Sequence, residues 1–121
     1  MSKKISSFLL LPVFLTVGIS LFAQSGSLRK ANKEYELHAY NRAIESYLAY
    51  LERRPDETEA MANVADCYRY VNEMEQAARW YRRAVTDKKI DPVHLLNYGL
   101  VLKALQQYDE ARYMFQRYAQ E

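Results

Sequence analysis

Cysteine occurs once in this 121-residue chain, at Cys67, so the chain cannot close a disulfide within itself. Glycine and proline occur three times each, and Gly99 is the one glycine beyond Gly26. That leaves no flexible linker and no glycine-rich loop to cradle a phosphate. The two histidines, His38 and His94, are far apart, no Cys/His spacing fits a metal, and no Ser, His and Asp set is suggested. The composition therefore argues against an enzyme, a metal site and a cofactor. An excess of one charge is missing too: 17 Lys plus Arg face 15 Asp plus Glu. Near-neutrality argues against a nucleic-acid footprint. The basic pairs Arg53-Arg54, Arg82-Arg83 and Lys88-Lys89 each fall near the end of an expected helix, where cations complement the helix dipole, and Asp109-Glu110 reads as a solvated acidic pair.

What the chain does have begins with a leader. Lys3 and Lys4 precede an apolar run from Phe8 to Phe22, and Leu21-Phe22-Ala23 stands before Gln24, the layout of a secretory signal peptide cleaved after Ala23. An uncleaved membrane anchor is the competing reading, since residues 5 to 22 are long enough to be considered for spanning. Pro12, Gly18 and the small residue that closes the run weigh against it, and no cysteine follows for lipid attachment. Removing 23 of 121 residues leaves 98, one domain by length, and takes Lys plus Arg from 17 to 15 against 15 acids. The expected location is exported, periplasmic or envelope-associated.

The rest of the chain repeats. Ala43, Ala77 and Ala111 are 34 residues apart, each followed four residues later by an aromatic, Tyr47, Tyr81 or Phe115. Ala31, Ala65 and Gly99 form a second column, Tyr40, Met74 and Tyr108 another, and Tyr50, Ala84 and Tyr118 another. A period of this length signals a helical repeat array. Within the second unit, Met61, Val64, Ala65, Tyr68 and Val71 recur at three and four, and so do Met74, Ala77, Ala78, Tyr81, Ala84 and Val85 after a polar break at Asn72-Glu73. Each unit is thus a pair of antiparallel helices whose small columns let backbones approach, with aromatics filling the grooves beside them. Ala60 lies outside the columns and reads as unconstrained. Cys67, inside a first helix, reads as half-buried packing. Asp56 with Glu59 has capping-box spacing, and Asp91-Pro92 reads as an N-cap followed by the first helical position.

These columns resemble the tetratricopeptide repeat family. MANVADCYRYVNEMEQAARWYRRAV matches closely, LLNYGLVLKALQQYDEARYMFQRYA nearly as well, and ANKEYELHAYNRAIESYLAYLERRP recognisably. The resemblance implies an all-α, right-handed α-solenoid of three helix-turn-helix repeats, at 24–57, 58–91 and 92–121. The family's terminal proline appears as Pro55 alone, and Lys89 at its place in the second repeat suggests a helix running on through Asp87.

The family's register places first helices along a concave surface. It nominates Arg29, Asn32, Tyr35 and Glu36, then Glu59, Asn63, Asp66, Arg69 and Tyr70, then Leu96, Asn97, Leu100 and Lys103 as a groove for a peptide or helix of a protein partner. One subfamily clamps terminal carboxylates with Lys and Arg around two Asn. Asn32 and Asn63 match its two Asn, but Leu28, Val93 and Asn97 stand where it needs cations, which argues against that ligand.

The leader and the two later repeats also resemble the N-terminal region of exported envelope proteins that continue into β-propeller-like and OmpA-like, peptidoglycan-binding domains, some acting in type IX secretion. That resemblance implies a periplasmic scaffold; a complete small adaptor for a soluble client is the alternative, with an enzyme accessory subunit a third reading. Tyr118, beside Met114 and Phe115, forms an apolar end expected to meet either continued chain or another copy. The leader reading is checked by N-terminal sequencing of the protein from the envelope fraction, which should begin at Gln24; an intact Met1 on membrane-bound protein would overturn it.

Overall fold

The computed structural model describes residues 27–121; the leader expected at 1–23 lies outside them. Six helices account for most of these residues: α1, helical from 27 to 36, then α2 Tyr40–Arg53, α3 Thr58–Tyr70, α4 Met74–Ala84, α5 Val93–Ala104 and α6 Tyr108–Ala119. They pack as three consecutive pairs, with α3 on α2 and α5 on α4 joining one pair to the next. Among the described residues no helix is long and apolar enough to cross a membrane.

The turn inside each pair is set by a single left-handed residue. His38, Asn72 and Gln106 have φ of 58°, 63° and 62°, and they too are 34 apart. At each, the amide one residue further on donates back to the first helix: Ala39 to the Glu34 carbonyl, Glu73 to Tyr68 and Gln107 to Leu102, all at 2.8 Å. This is the helix-ending geometry in which glycine is usual, because a Cβ is strained at positive φ. None of the three is glycine; His38 and Asn72 are residue types that enter this region more readily than most, and Gln106 is not.

The small columns behave as volume constraints. Ala31, Ala65, Ala43 and Ala77 have no exposed surface and Ala111 almost none, with Tyr47 and Tyr81 fully buried beside them. Gly99 shows the tolerance directly, since a Cβ built there would lie 2.4 Å from the Phe115 ring. Two apolar clusters result. One joins α2 to α3 through Ile44, Tyr47, Leu51, Met61, Val64 and Cys67; the other joins α4 to α5 and α6 through Tyr81, Leu95, Tyr98, Val101, Leu102 and Met114.

Several expectations need correction. α4 stops at Ala84 rather than running through Asp87. The Asp87 carboxylate instead accepts from the Thr58 hydroxyl at 2.6 Å and the Lys89 amide at 2.9 Å, pinning a turn against the start of α3. The capping box does not form: Glu57, not Asp56, precedes α3, and no side chain caps it. Asp91 does act as a cap, its Oδ1 accepting the Val93 amide at 3.0 Å, although Pro92 stands just before the helix. Cys67 is fully buried, and burial first, then the Asp66 charge, pushes its thiol up to about 12, which leaves it unreactive. Ala60 is buried, and so is Met114 at the supposedly open end.

Ala77→Leu should destabilise the protein by about 1 to 3 kcal/mol, the usual range for overpacking. Because Ala60 is buried, the exposed Ala49→Leu is the proper control. Denaturant unfolding checks this; a loss for Ala77→Leu no larger than for the control would refute the packing assignment.

Candidate functional site

Asp66 projects from α3 toward the strip formed by the first helices and is 3% exposed. A buried carboxylate needs donors, and five groups from four helices surround it. The Tyr35 hydroxyl of α1 donates to Oδ2 at 3.2 Å, and the Tyr81 hydroxyl of α4 donates to Oδ1. Asn97 of α5 donates to Oδ1 through Nδ2 at 3.1 Å, and His94, one helical turn earlier, brings Nδ1 to 3.5 Å from Oδ2. The opposite ring nitrogen of His94 lies 3.6 Å from Glu59 Oε1. Arg69, on the next turn of α3, adds positive charge.

The first pair carries a shorter version of the same device. The Tyr47 hydroxyl donates to Asn32 Oδ1 at 2.6 Å, with Asn63 beside it. Asn32 and Tyr47 become Asp66 and Tyr81 one repeat on, and Leu100 and Phe115 a further repeat on. The floor of the groove is thus polar through two repeats and apolar in the third.

Burial opposes ionisation of Asp66, but the His94 and Tyr81 contacts and the charges of His94 and Arg69 outweigh it, holding the carboxyl below its ordinary range. Burial likewise opposes protonation of His94, and Asp66 first, then Glu59 and Asp91, outweigh that and raise it. Burial and the Asp66 carboxylate push the hydroxyls of Tyr35 and Tyr81 strongly upward, so both stay protonated donors.

The remaining nominated residues divide by place. Arg29, Asn32 and Glu36 line a shallow hollow with Leu28 and Lys33. The Arg69 guanidinium lies 4.5 Å over the Tyr70 ring, which stacks on Tyr40 at 4.5 Å, while Arg69 Nε is buried with no acceptor. Lys103 and Leu100 are exposed on α5 and Leu96 is half-buried; no polar contact draws these three into the Asp66 cluster. His94 is the residue that sequence reasoning missed. It sits one position off the groove register, in the column of Ala60, and its signal was being the lone basic side chain in the apolar first half of α5.

No family model matches the chain. Among curated proteins it is 31% identical over 98 residues to tetratricopeptide repeat protein 8 of Caenorhabditis elegans, covering 79% of this chain and 19% of that one. Among solved structures, MamA from Desulfovibrio magneticus RS-1 superposes with a TM-score of 0.70 at 16% identity, over 78% of this chain and 53% of that chain. The second tetratricopeptide domain of Spaghetti, bound to the HSP90 peptide SRMEEVD, gives 0.73 at 21% identity over 79% and 89%. The fold is a tetratricopeptide repeat array. The array spans under a fifth of the C. elegans protein and about half of MamA.

The Asp66 cluster gives the array a pH profile. His94, with its folded value raised above 6.5, stabilises fully below that pH, and its contribution is lost as pH rises through the raised value. Asp66, lowered below 3.8, stabilises above that pH and is lost as pH falls through the lowered value. Tm should therefore be highest between about pH 4 and 6.5. His94→Gln should remove the decline on the alkaline side; an alkaline limb identical in His94→Gln and the unaltered protein would show that His94 does not set it.

Proposed function

We propose that this array is a non-catalytic protein-interaction module that takes an extended peptide or a helix of its partner along the surface of α1, α3 and α5. The observation that carries the reading is the Asp66 cluster, which draws Tyr35, Asp66 and Asn97 from all three first helices into one bonded unit and so makes their outer faces a continuous, rigid surface. A preorganised surface of this kind loses less freedom on binding. Asn63, Arg69, Tyr70 and Lys103 are then the contacts, with the exposed Tyr70 ring offering area.

The Spaghetti domain shows that this fold can hold an acidic peptide. The groove here supports a different ligand, because its floor is a buried carboxylate and Leu28, Val93 and Asn97 stand where a carboxylate clamp needs cations. A peptide presenting backbone and neutral polar groups suits it better than a free acidic terminus. The leader favours an exported protein acting in the periplasm or at the envelope, and a place at the head of a wall-bound, OmpA-like scaffold rests on sequence resemblance alone. A small adaptor for a soluble client uses the same groove.

Tyr70→Ala, Arg69→Ala and Lys103→Ala should weaken capture of the partner from envelope extract, Tyr70→Ala by roughly tenfold or more, with helicity unchanged. Arg79→Ala and Glu45→Ala, exposed on second helices, should not. Retention of the partner by the first set and its loss by the second would move the site to the other face.

A further inference from the structure

We infer that the hollow between the end of α4 and the first turns of α6 is a second binding site, separate from the groove of the first helices, which takes a tryptophan side chain of a protein partner. Its volume is about 550 Å³, within the range of pockets that hold small ligands, and none of the nominated groove residues lines it. Val85, Met114 and the buried Tyr98 form its apolar lining, and Tyr113 stands beside them, 57% exposed. The walls come from α4, α5 and α6 alone.

The preceding junction shows what fits such a place. Thirty-four residues earlier, between α2 and α4, the positions of Arg82 and Met114 hold Leu48 and Trp80. Both are half-buried on the apolar cluster that joins α2 to α3, and the Arg83 guanidinium lies 4.6 Å over the Trp80 ring. One repeat on, Arg117 stands in the place of Arg83, but Met114 has no ring to offer it, and the exposed Arg82 leaves the place of Leu48 unfilled. The first junction carries its own indole; the second has the cradle without it.

The walls suit an indole by charge as well as by shape. Arg117 is held across the hollow by Nη2, which donates to the Val85 carbonyl at 3.2 Å, and Arg82 stands beside the Tyr98 hydroxyl. Guanidiniums fixed in this way attract the negative face of an aromatic ring, tryptophan best of all. Asp109 and Glu110, at the start of α6, bring carboxylates that can accept an indole N–H, a donor that Phe and Leu lack. The one tryptophan of this chain is already committed under Arg83, so a second copy has no indole to lend.

Titration of N-acetyl-tryptophanamide into the 121-residue chain, followed by the methyl resonances of Val85 and Met114, tests this. Saturable binding with a Kd of about 1 mM or tighter is expected, and N-acetyl-leucinamide should bind roughly tenfold more weakly. Met114→Trp, which restores the indole of the first junction, should weaken the probe about tenfold or more, with Glu45→Ala on α2 leaving it unchanged. Should Met114→Trp fail to fold by circular dichroism, Arg117→Gln gives an independent reading and should weaken the probe about threefold. No shift of either methyl at about 10 mM probe, equal binding of the leucine compound, binding undiminished in the variant that folds, or protein purified at native length from its own cells that no longer takes the probe would each overturn the proposal.

Discussion

A buried carboxylate must be given donors or be protonated, and Asp66 is given donors from all three repeats. In a solenoid each unit ordinarily touches its neighbours alone, so the placement of the first unit relative to the third is the sum of two independent junctions. Here one side chain samples both. Tyr35 reaches it from the first repeat, Asn97 and His94 from the third, and Tyr81 holds it from within its own pair. Rotating either outer repeat would strip a donor from a charge that water cannot reach, and an uncompensated buried charge is among the larger penalties a fold can carry. The curvature of the surface made by α1, α3 and α5 is fixed by electrostatics as much as by packing.

The same column explains why the third repeat is chemically unlike the first two. Tyr47 and Tyr81 end in hydroxyls that need acceptors, and Asn32 and Asp66 supply them. Phe115 has no hydroxyl and Leu100 no acceptor, so that polar link is gone. The ring of Phe115 instead lies in space that a Cβ on residue 99 would occupy, and Gly99 replaces the alanine of the other two repeats. Three substitutions that look unrelated in the sequence are one change in how a helix pair is closed.

Much of the fold could be read from the sequence because its constraints are volumes, and volumes repeat every 34 residues. Ala43, Ala77 and Ala111 could be placed without knowing any contact. The turns were harder: His38, Asn72 and Gln106 share a left-handed conformation and no chemistry, since the backbone bonds that end each helix tolerate any of them. Helix ends failed where side chains had longer-range business, as when Asp87 turned to Thr58 instead of extending α4. At the site, the register nominated Tyr35, Asp66 and Asn97 as separate groove residues, and the structure bonds them to one another. Their bonding follows a different spacing: Tyr35 to Asp66 and Asp66 to Asn97 are each 31 residues, one repeat less about one helical turn. Asn32 and Asn63 share it. Polar residues recurring at that interval mark diagonals between neighbouring first helices, a signal that a search at the repeat period alone passes over.

The array therefore presents two surfaces with opposite physics. Along the first helices the polar groups are numerous and mostly committed to one another, so a ligand there is judged on whether its own donors and acceptors fit those that stay exposed, such as Lys103. Mismatch in such a setting is heavily penalised because the rejected group stays buried and unpaired. Between α4 and α6, by contrast, Val85, Met114 and Tyr113 offer area without direction. Apolar area alone gives affinity with little discrimination, and discrimination there has to come from the guanidiniums and carboxylates around it. Because Gly99 and Phe115 set how closely α5 and α6 lie, the same close contact that replaces the polar link inside the third repeat also sets where Met114 stands in that hollow.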